Sequence, residues 1–240
     1  MFGMKTPKRK GGKDEAEKPF WISFSDLMTA LMVLFLVAMS VALMSVTQGL
    51  ANIEQLEKER KDGIASCVED MSAASVKAGA SMRKHPSRYA IEFGTLVEYG
   101  HNEHNLNPQS DRFIRSFVPK VLDVAREGKC KTWLKRIVVE GFASQSGGYL
   151  YNLNLSYLRS QRVLCTLLST TVPDRLDETY RREIQTLFLV GGSSFNTVQT
   201  QNPAQMQRVE LKLEFLDAPK DGDAKVGNIP LDPGDKCPNP

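Results

Sequence analysis

Residues 21–47 read WISFSDLMTALMVLFLVAMSVALMSVT, and the 25 positions from Ile22 to Val46 hold one charged side chain, Asp26. At ~1.5 Å per residue this makes roughly 37 Å of helix, enough to cross a bilayer with some tilt. The pattern predicts a membrane-spanning helix over 21–47 with a carboxylate in its first turns. An ionisable group in hydrocarbon costs at least ~2.5 kcal/mol and persists mainly where it works or faces a partner. Helical periodicity puts Asp26, Thr29, Ala30, Val33, Val37, Ser40 and Met44 on one stripe, with Leu27, Leu31, Leu34 and Phe35 largely elsewhere. Asp26, Thr29 and Ser40 are therefore the candidate ion-translocation residues. Ser23-Phe24-Ser25-Asp26 also fits a capping box, which would leave Asp26 an inert acid at the headgroups.

Working outward, the N-terminal flank carries Lys5, Lys8, Arg9, Lys10, Lys13 and Lys18, whereas no Lys or Arg follows the span until Lys58. The positive-inside rule then places the N-terminus in the cytoplasm and everything after Thr47 outside. The apolar run is too long for a signal peptide and lacks a small-x-small cleavage site. In a chain of 240 residues this leaves about 130–150 for folded structure, one domain's worth. A charged fraction of 25% and an apolar fraction of 41% are ordinary for a soluble domain. The net charge of +3 is too small to argue for direct nucleic-acid binding. Cys67, Cys130, Cys165 and Cys237 all fall on the outer side, where disulfides form. Three pairings are open; Cys130 with Cys165, in one domain, is slightly favoured, and Cys67 could instead bridge two copies.

Five segments follow from the pattern: a disordered cytoplasmic tail over 1–20, the span, a helical linker over 48–85, a domain over 86–217, and a mobile tail rich in Asp, Gly, Lys and Pro over 218–240. Gly49, Gly63 and Gly79 weaken the linker helix. Within the domain, Tyr89–Phe93 reads as a strand, and Asn107-Pro108 caps a helix running to about Glu127 that Pro119 interrupts. Trp133–Gly141 reads as a buried strand, and Tyr149–Ser169 as a second long helix. A shorter helix over Arg175–Ile184, a strand over Thr186–Val190 and a last strand over Arg208–Leu216 complete the set. Strands alternating with helices predict a layered α/β sheet with helices on one face.

The stretch 136–168, RIVVEGFASQSGGYLYNLNLSYLRSQRVLCTLL, resembles the signature of OmpA-like peptidoglycan-binding domains. The matching residues are Gly141, then Tyr151, Asn152, Leu155, Ser156 and Arg159 opening the helix; Gly191-Gly192-Ser193 and Gln207-Arg208-Val209-Glu210-Leu211 are similar to the family's later loop and closing strand. The resemblance implies that wall peptide is held by Ser144, Tyr151, Asn152, Leu155, Arg159 and Arg208, with Leu155 a core residue in either case. One departure matters. Where the family carries an Asp that holds an ammonium of the wall peptide, fifteen residues before the helix Arg, this chain has Ser144. That leaves Arg159 as the expected partner for a carboxylate.

A single N-in span with an early Asp, followed by such a domain, resembles the MotB-type subunits of ion-driven motors, with Trp21 and Ser25-Asp26-Leu27-Met28-Thr29 similar to their span signature. The short tail, the short linker and the loop from Phe142 to Asn152 look most like the B subunits of Zorya anti-phage systems. The resemblance implies an inner-membrane, single-pass homodimer inside a ring of about five polytopic MotA- or ZorA-like subunits. Nuclease or helicase effectors would act indirectly. It further implies an ion, a proton first and Na⁺ as the alternative, carried by Asp26 with no bound cofactor. The rival expectations are a flagellar-type stator subunit and a purely structural wall anchor in which Asp26 is dispensable. An enzyme is not expected: His101 and His104 in HNEH lack an evident third metal ligand, and Ser144 and Ser146 have no activating His nearby in sequence.

Overall fold

The computed structural model describes residues 17–85, 88–144, 146–194, 207–218 and 237. The basic tail up to residue 16 and the stretch 219–236, expected to be disordered or mobile, lie outside the described residues. The chain divides into two compact units, Met1–Leu56 and Glu57–Pro240.

Helix α1, Glu17–Lys77, contributes to both units. In the first unit every residue from Trp21 to Leu56 is exposed, apolar side chains included. Among the described residues α1 is the one helix long and apolar enough to cross a membrane. A helix apolar all round with nothing packed on it suits lipid or other chains as its solvent.

In the second unit the last turns of α1 are core. Ile64, Cys67, Val68, Met71 and Ser75 are buried. Gly63, which weakens the helix by propensity, is required by packing: a Cβ there would come within 2.3 Å of the Trp133 indole nitrogen. Arg60 donates from Nε to the Leu216 carbonyl at 2.8 Å. The structural unit thus begins some thirty residues before the boundary that the sequence suggests at residue 86.

The remaining elements are β1 Ser81–His85, β2 Arg88–Glu92, α2 Pro108–Arg126, α3 Gly128–Trp133, β3 Leu134–Gly141, α4 Tyr149–Leu168, α5 Glu178–Leu187, β4 Phe188–Gly192 and β5 Val209–Phe215. The sheet runs β1-β2-β5-β3-β4, antiparallel except for the parallel pair β3 and β4. Alternation sorts the side chains: Ile91, Ile137, Val139, Leu211 and Leu213 lie on the face buried under the helices, each contributing about 1.5–3 kcal/mol. The opposite face carries Arg136, Glu140, Glu210, Lys212 and Glu214 in paired charges. This is the expected α/β layer with helices on one face. Asn107 caps α2 by accepting from the Ser110 N–H at 2.7 Å, with Pro108 at the first turn. α5 and β4 start two to three residues later than the pattern suggests, because the helix runs on through Leu187.

The disulfides correct the favoured pairing. Cys67 bonds Cys130 and Cys165 bonds Cys237. Cys130 sits on α3, a short helix that no periodicity announced, and faces α1; Cys165 lies on the half-exposed side of α4, away from it.

Candidate functional site

Two places gather the candidate residues. In the first unit, the Asp26 carboxylate has no hydrogen-bonding or ionic partner among the described residues. The Thr29 hydroxyl donates to the carbonyls of Ser25 at 3.0 Å and Asp26 at 2.9 Å. The Ser40 hydroxyl donates to Leu36 at 2.7 Å. Both hydroxyl protons are therefore taken up by the helix itself, and what each offers outward is lone pairs. A passing proton carrier or cation finds one carboxylate and two acceptor oxygens.

The second place is built by glycines. Gly141 and Gly192 pair across β3 and β4. A Cβ on Gly141 would lie 2.0 Å from the Ser156 carbonyl oxygen, and one on Gly192 would lie 2.7 Å from Ser156 Oγ and 2.8 Å from the Tyr157 nitrogen. Their missing side chains let α4 sit backbone to backbone on the sheet. Serines lock that contact. Ser160 Oγ donates to the Gly191 carbonyl at 2.7 Å, the Ser194 N–H donates to Ser156 Oγ at 3.0 Å, and the Ala143 N–H donates to the Ser194 carbonyl at 3.0 Å. The start of α4 and the loop after β3, with half-buried Ser144, are fixed beside each other as a result.

On this frame Tyr151 is 52% exposed and Leu150 75%, so the first turn of α4 presents an aromatic and apolar surface. Asn152 is 1% exposed; its Nδ2 donates to the Ser146 carbonyl at 2.8 Å while its Oδ1 is buried without a partner among the described residues. Leu155 is buried core.

Arg159, fully buried, does not present a free fork. Its Nε donates to the Glu103 carbonyl at 2.9 Å, Nη1 to Phe142 at 2.9 Å and Nη2 to Gly100 at 3.2 Å. The guanidinium lies 5.1 Å from the centre of the Tyr99 ring, and the Tyr99 hydroxyl donates back to the Arg159 carbonyl at 3.0 Å. Burial pushes the guanidinium down to about 10, still protonated at neutral pH, and pushes the Tyr99 phenol up. One side chain thus ties together the loop before α2, the exit of β3 and α4.

Arg208 donates from Nε to the buried Glu210 at 2.7 Å and lies 4.4 Å from the Phe142 ring centre, with Arg88 5.3 Å from that ring. Arg88 also pairs Glu140 and Glu210 at 2.8 Å each. Glu210 is therefore neutralised within the unit. Sequence reasoning passed over Glu103, whose carbonyl Arg159 holds; it is the one acid in the loop Tyr99–Leu106, which drew attention only for its histidines. No group of three or more His, Cys, Asp or Glu side chains among the described residues is placed to hold a metal ion.

A family model described as membrane MotB of the proton-channel complex MotA/MotB matches residues 4–59. A curated relative, "Zorya protein ZorB" of Escherichia coli O139:H28 (strain E24377A / ETEC), is 41% identical over 220 residues, covering 90% of this chain and 88% of its own. Among solved structures, a MotB-like protein from Desulfovibrio vulgaris is 17% identical with a TM-score of 0.40, covering 68% of this chain and 99% of its own. The OmpA-like domain of FopA1 from Francisella tularensis is 17% identical with a TM-score of 0.38, covering 57% of this chain and 83% of its own.

Proposed function

The chain belongs to the ZorB family, and from that premise we propose that it is the wall-anchored subunit of an ion-driven inner-membrane motor in anti-phage defence, a working subunit and not an enzyme. The observation that carries this reading is Asp26: one carboxylate, without a partner among the described residues, in a helix whose span is apolar and exposed on every side. An acid there is costly unless other chains enclose it. The MotB-type match over residues 4–59 covers this region and favours a proton over Na⁺. Asp26 is neutral when loaded from outside and charged once it releases its proton inward, and each charge crossing ~100 mV supplies ~2.3 kcal/mol. Thr29 and Ser40 contribute acceptor oxygens to the path. Two copies stand within a ring of about five polytopic partners, the N-terminus is cytoplasmic, and nuclease or helicase effectors respond downstream.

The unit Glu57–Pro240 anchors the motor to peptidoglycan. Ser144 and Tyr151 face the wall, while Asn152, Leu155, Arg159 and Arg208 hold the surface that presents them. The test is phage restriction by Asp26→Asn in cells carrying the complete system, with co-purification of the membrane partner as the assembly control. Loss of restriction with assembly intact is expected. Full restriction would leave a wall-anchored scaffold in place of a motor.

A further inference from the structure

The two disulfides follow the order of the chain. Cys67 bonds Cys130 and Cys165 bonds Cys237, so the first and third cysteines each join the next one along, across separations of 63 and 72 residues that neither overlap nor nest. All four cysteines are used. Four thiols allow three pairings, and this one is reached when a chain emerging from its N-terminal end joins each new thiol to the single one already waiting. Loop statistics alone choose differently. Cys130 and Cys165 stand 35 residues apart, the shortest separation between any two of the four. Closure falls off as about the 3/2 power of loop length, so an unfolded chain offering all four thiols at once forms that wrong pair about twofold more often than Cys67 with Cys130.

Burial sets a time limit on the first bond. Cys67 is fully buried and Cys130 is 1% exposed, both in the core with Met71 and Leu134. A folded unit closes over these sulfurs, whereas thiol–disulfide exchange needs an accessible thiolate. Reduced cysteine packs as a small hydrophobe, so the core has a way to form around two thiols that were never joined. Without a catalyst disulfide formation runs to hours, far longer than a domain of this size takes to fold. The first bond is therefore best made on the open chain, by a fast oxidant, before Cys165 arrives to compete.

We propose that this chain is a client of a thiol–disulfide oxidase on the outer side of the membrane, which acts on the emerging chain and closes both bonds in chain order, without a disulfide isomerase. For each bond, one cysteine thiolate attacks the oxidase disulfide to form a mixed disulfide, and the second thiolate attacks the chain's sulfur in that mixed bond. The chain leaves with its own disulfide, and the oxidase leaves as a dithiol holding the two electrons and two protons. This inference rests on the reading that Glu57–Pro240 lies outside the membrane, and it names the partner that completes the unit there.

The experiment expresses the full-length chain with its membrane partner in three matched hosts: one intact, one without its periplasmic thiol oxidase and one without its disulfide isomerase. Thiols are trapped with acid, labelled with a maleimide-linked polymer and counted by gel shift of this chain. The intact and isomerase-free hosts should give no label before reduction. In the oxidase-free host most chains should carry label, and cystine in the medium should remove it. Full oxidation in that host would overturn the client assignment, and free or mispaired thiols in the isomerase-free host would overturn closure in chain order. Four free thiols in every host would overturn the placement outside the membrane, and this inference with it. A second measurement needs no folding: the purified, reduced chain is re-oxidised in guanidinium and its bonds are mapped by mass spectrometry. Cys130 bonded to Cys165 should exceed Cys67 bonded to Cys130 about twofold. A majority of native bonds under those conditions would mean that chain order adds nothing, and would overturn that step.

Discussion

The two units treat charge in opposite ways. Between Trp21 and Leu56 the apolar surface is bare and Asp26 has no answering group in its own chain among the described residues. In Glu57–Pro240 even fully buried charges are answered internally: Glu210 by Arg88 and Arg208, Arg159 by three carbonyls. A charge satisfied within its own fold serves stability and position. One left unsatisfied in an apolar helix needs another molecule, and its effects should appear in function while stability stays unchanged.

The contrast is broken most forcefully at Arg159. Arg159→Ala strands the carbonyls of Glu103 and Phe142, takes one of two donors from that of Gly100, and should cost about 3–5 kcal/mol, read by urea denaturation of the solubilised chain. Asp26→Asn in the same assay should shift stability by less than ~0.5 kcal/mol. A smaller loss is expected on replacing Cys67 and Cys130 with serine. That bond spans 63 residues of sequence and its removal should cost about 2–4 kcal/mol. Smaller again is Gly141→Ala, whose Cβ would meet the Ser156 carbonyl at 2.0 Å; about 1–3 kcal/mol of destabilisation should show in its melting curve. Gly49 sharpens the comparison, since nothing lies within 4 Å of a Cβ there, and Gly49→Ala should be neutral or stabilising by up to ~1 kcal/mol.

The smallest effect is electrostatic. A hydrogen bond from Arg136 at 2.6 Å holds the Glu214 carboxyl below its ordinary value of 4.5. A depressed folded-state value stabilises above the unfolded value and is lost as pH falls through the folded one, so the contribution is complete above pH 4.5 and fades as the pH falls below it. On this half-buried, solvent-screened pair it amounts to about 1 kcal/mol or less. Arg136→Ala should therefore narrow the stability difference between pH 7 and pH 3.

Much of the fold is legible because periodicity is local: the apolar span, Asn107-Pro108 opening α2, the Ile137–Val139 run of β3 and the long amphipathic α4 all announce themselves. What stays hidden depends on distant partners. β1, SMRKH, is a charged and mostly exposed edge strand without alternation. Gly63 reads as a helix breaker until Trp133 is seen lying on it. Cys130 shows its partner only when α3 faces α1. For the wall site, spacing locates Tyr151, Asn152 and Arg159 on one helix. Whether a guanidinium there meets ligand or backbone depends on how the loop Tyr99–Leu106 folds over it, and that loop lies more than fifty residues away in sequence.

The most direct test of Asp26 as ion carrier is proton uptake into liposomes holding the chain with its membrane partner, driven by a potassium diffusion potential and read with an internal pH dye. Uptake by the wild type that is abolished in Asp26→Asn, with both proteins present in equal amounts, is the expected result. Equal uptake by the variant would contradict proton passage through Asp26.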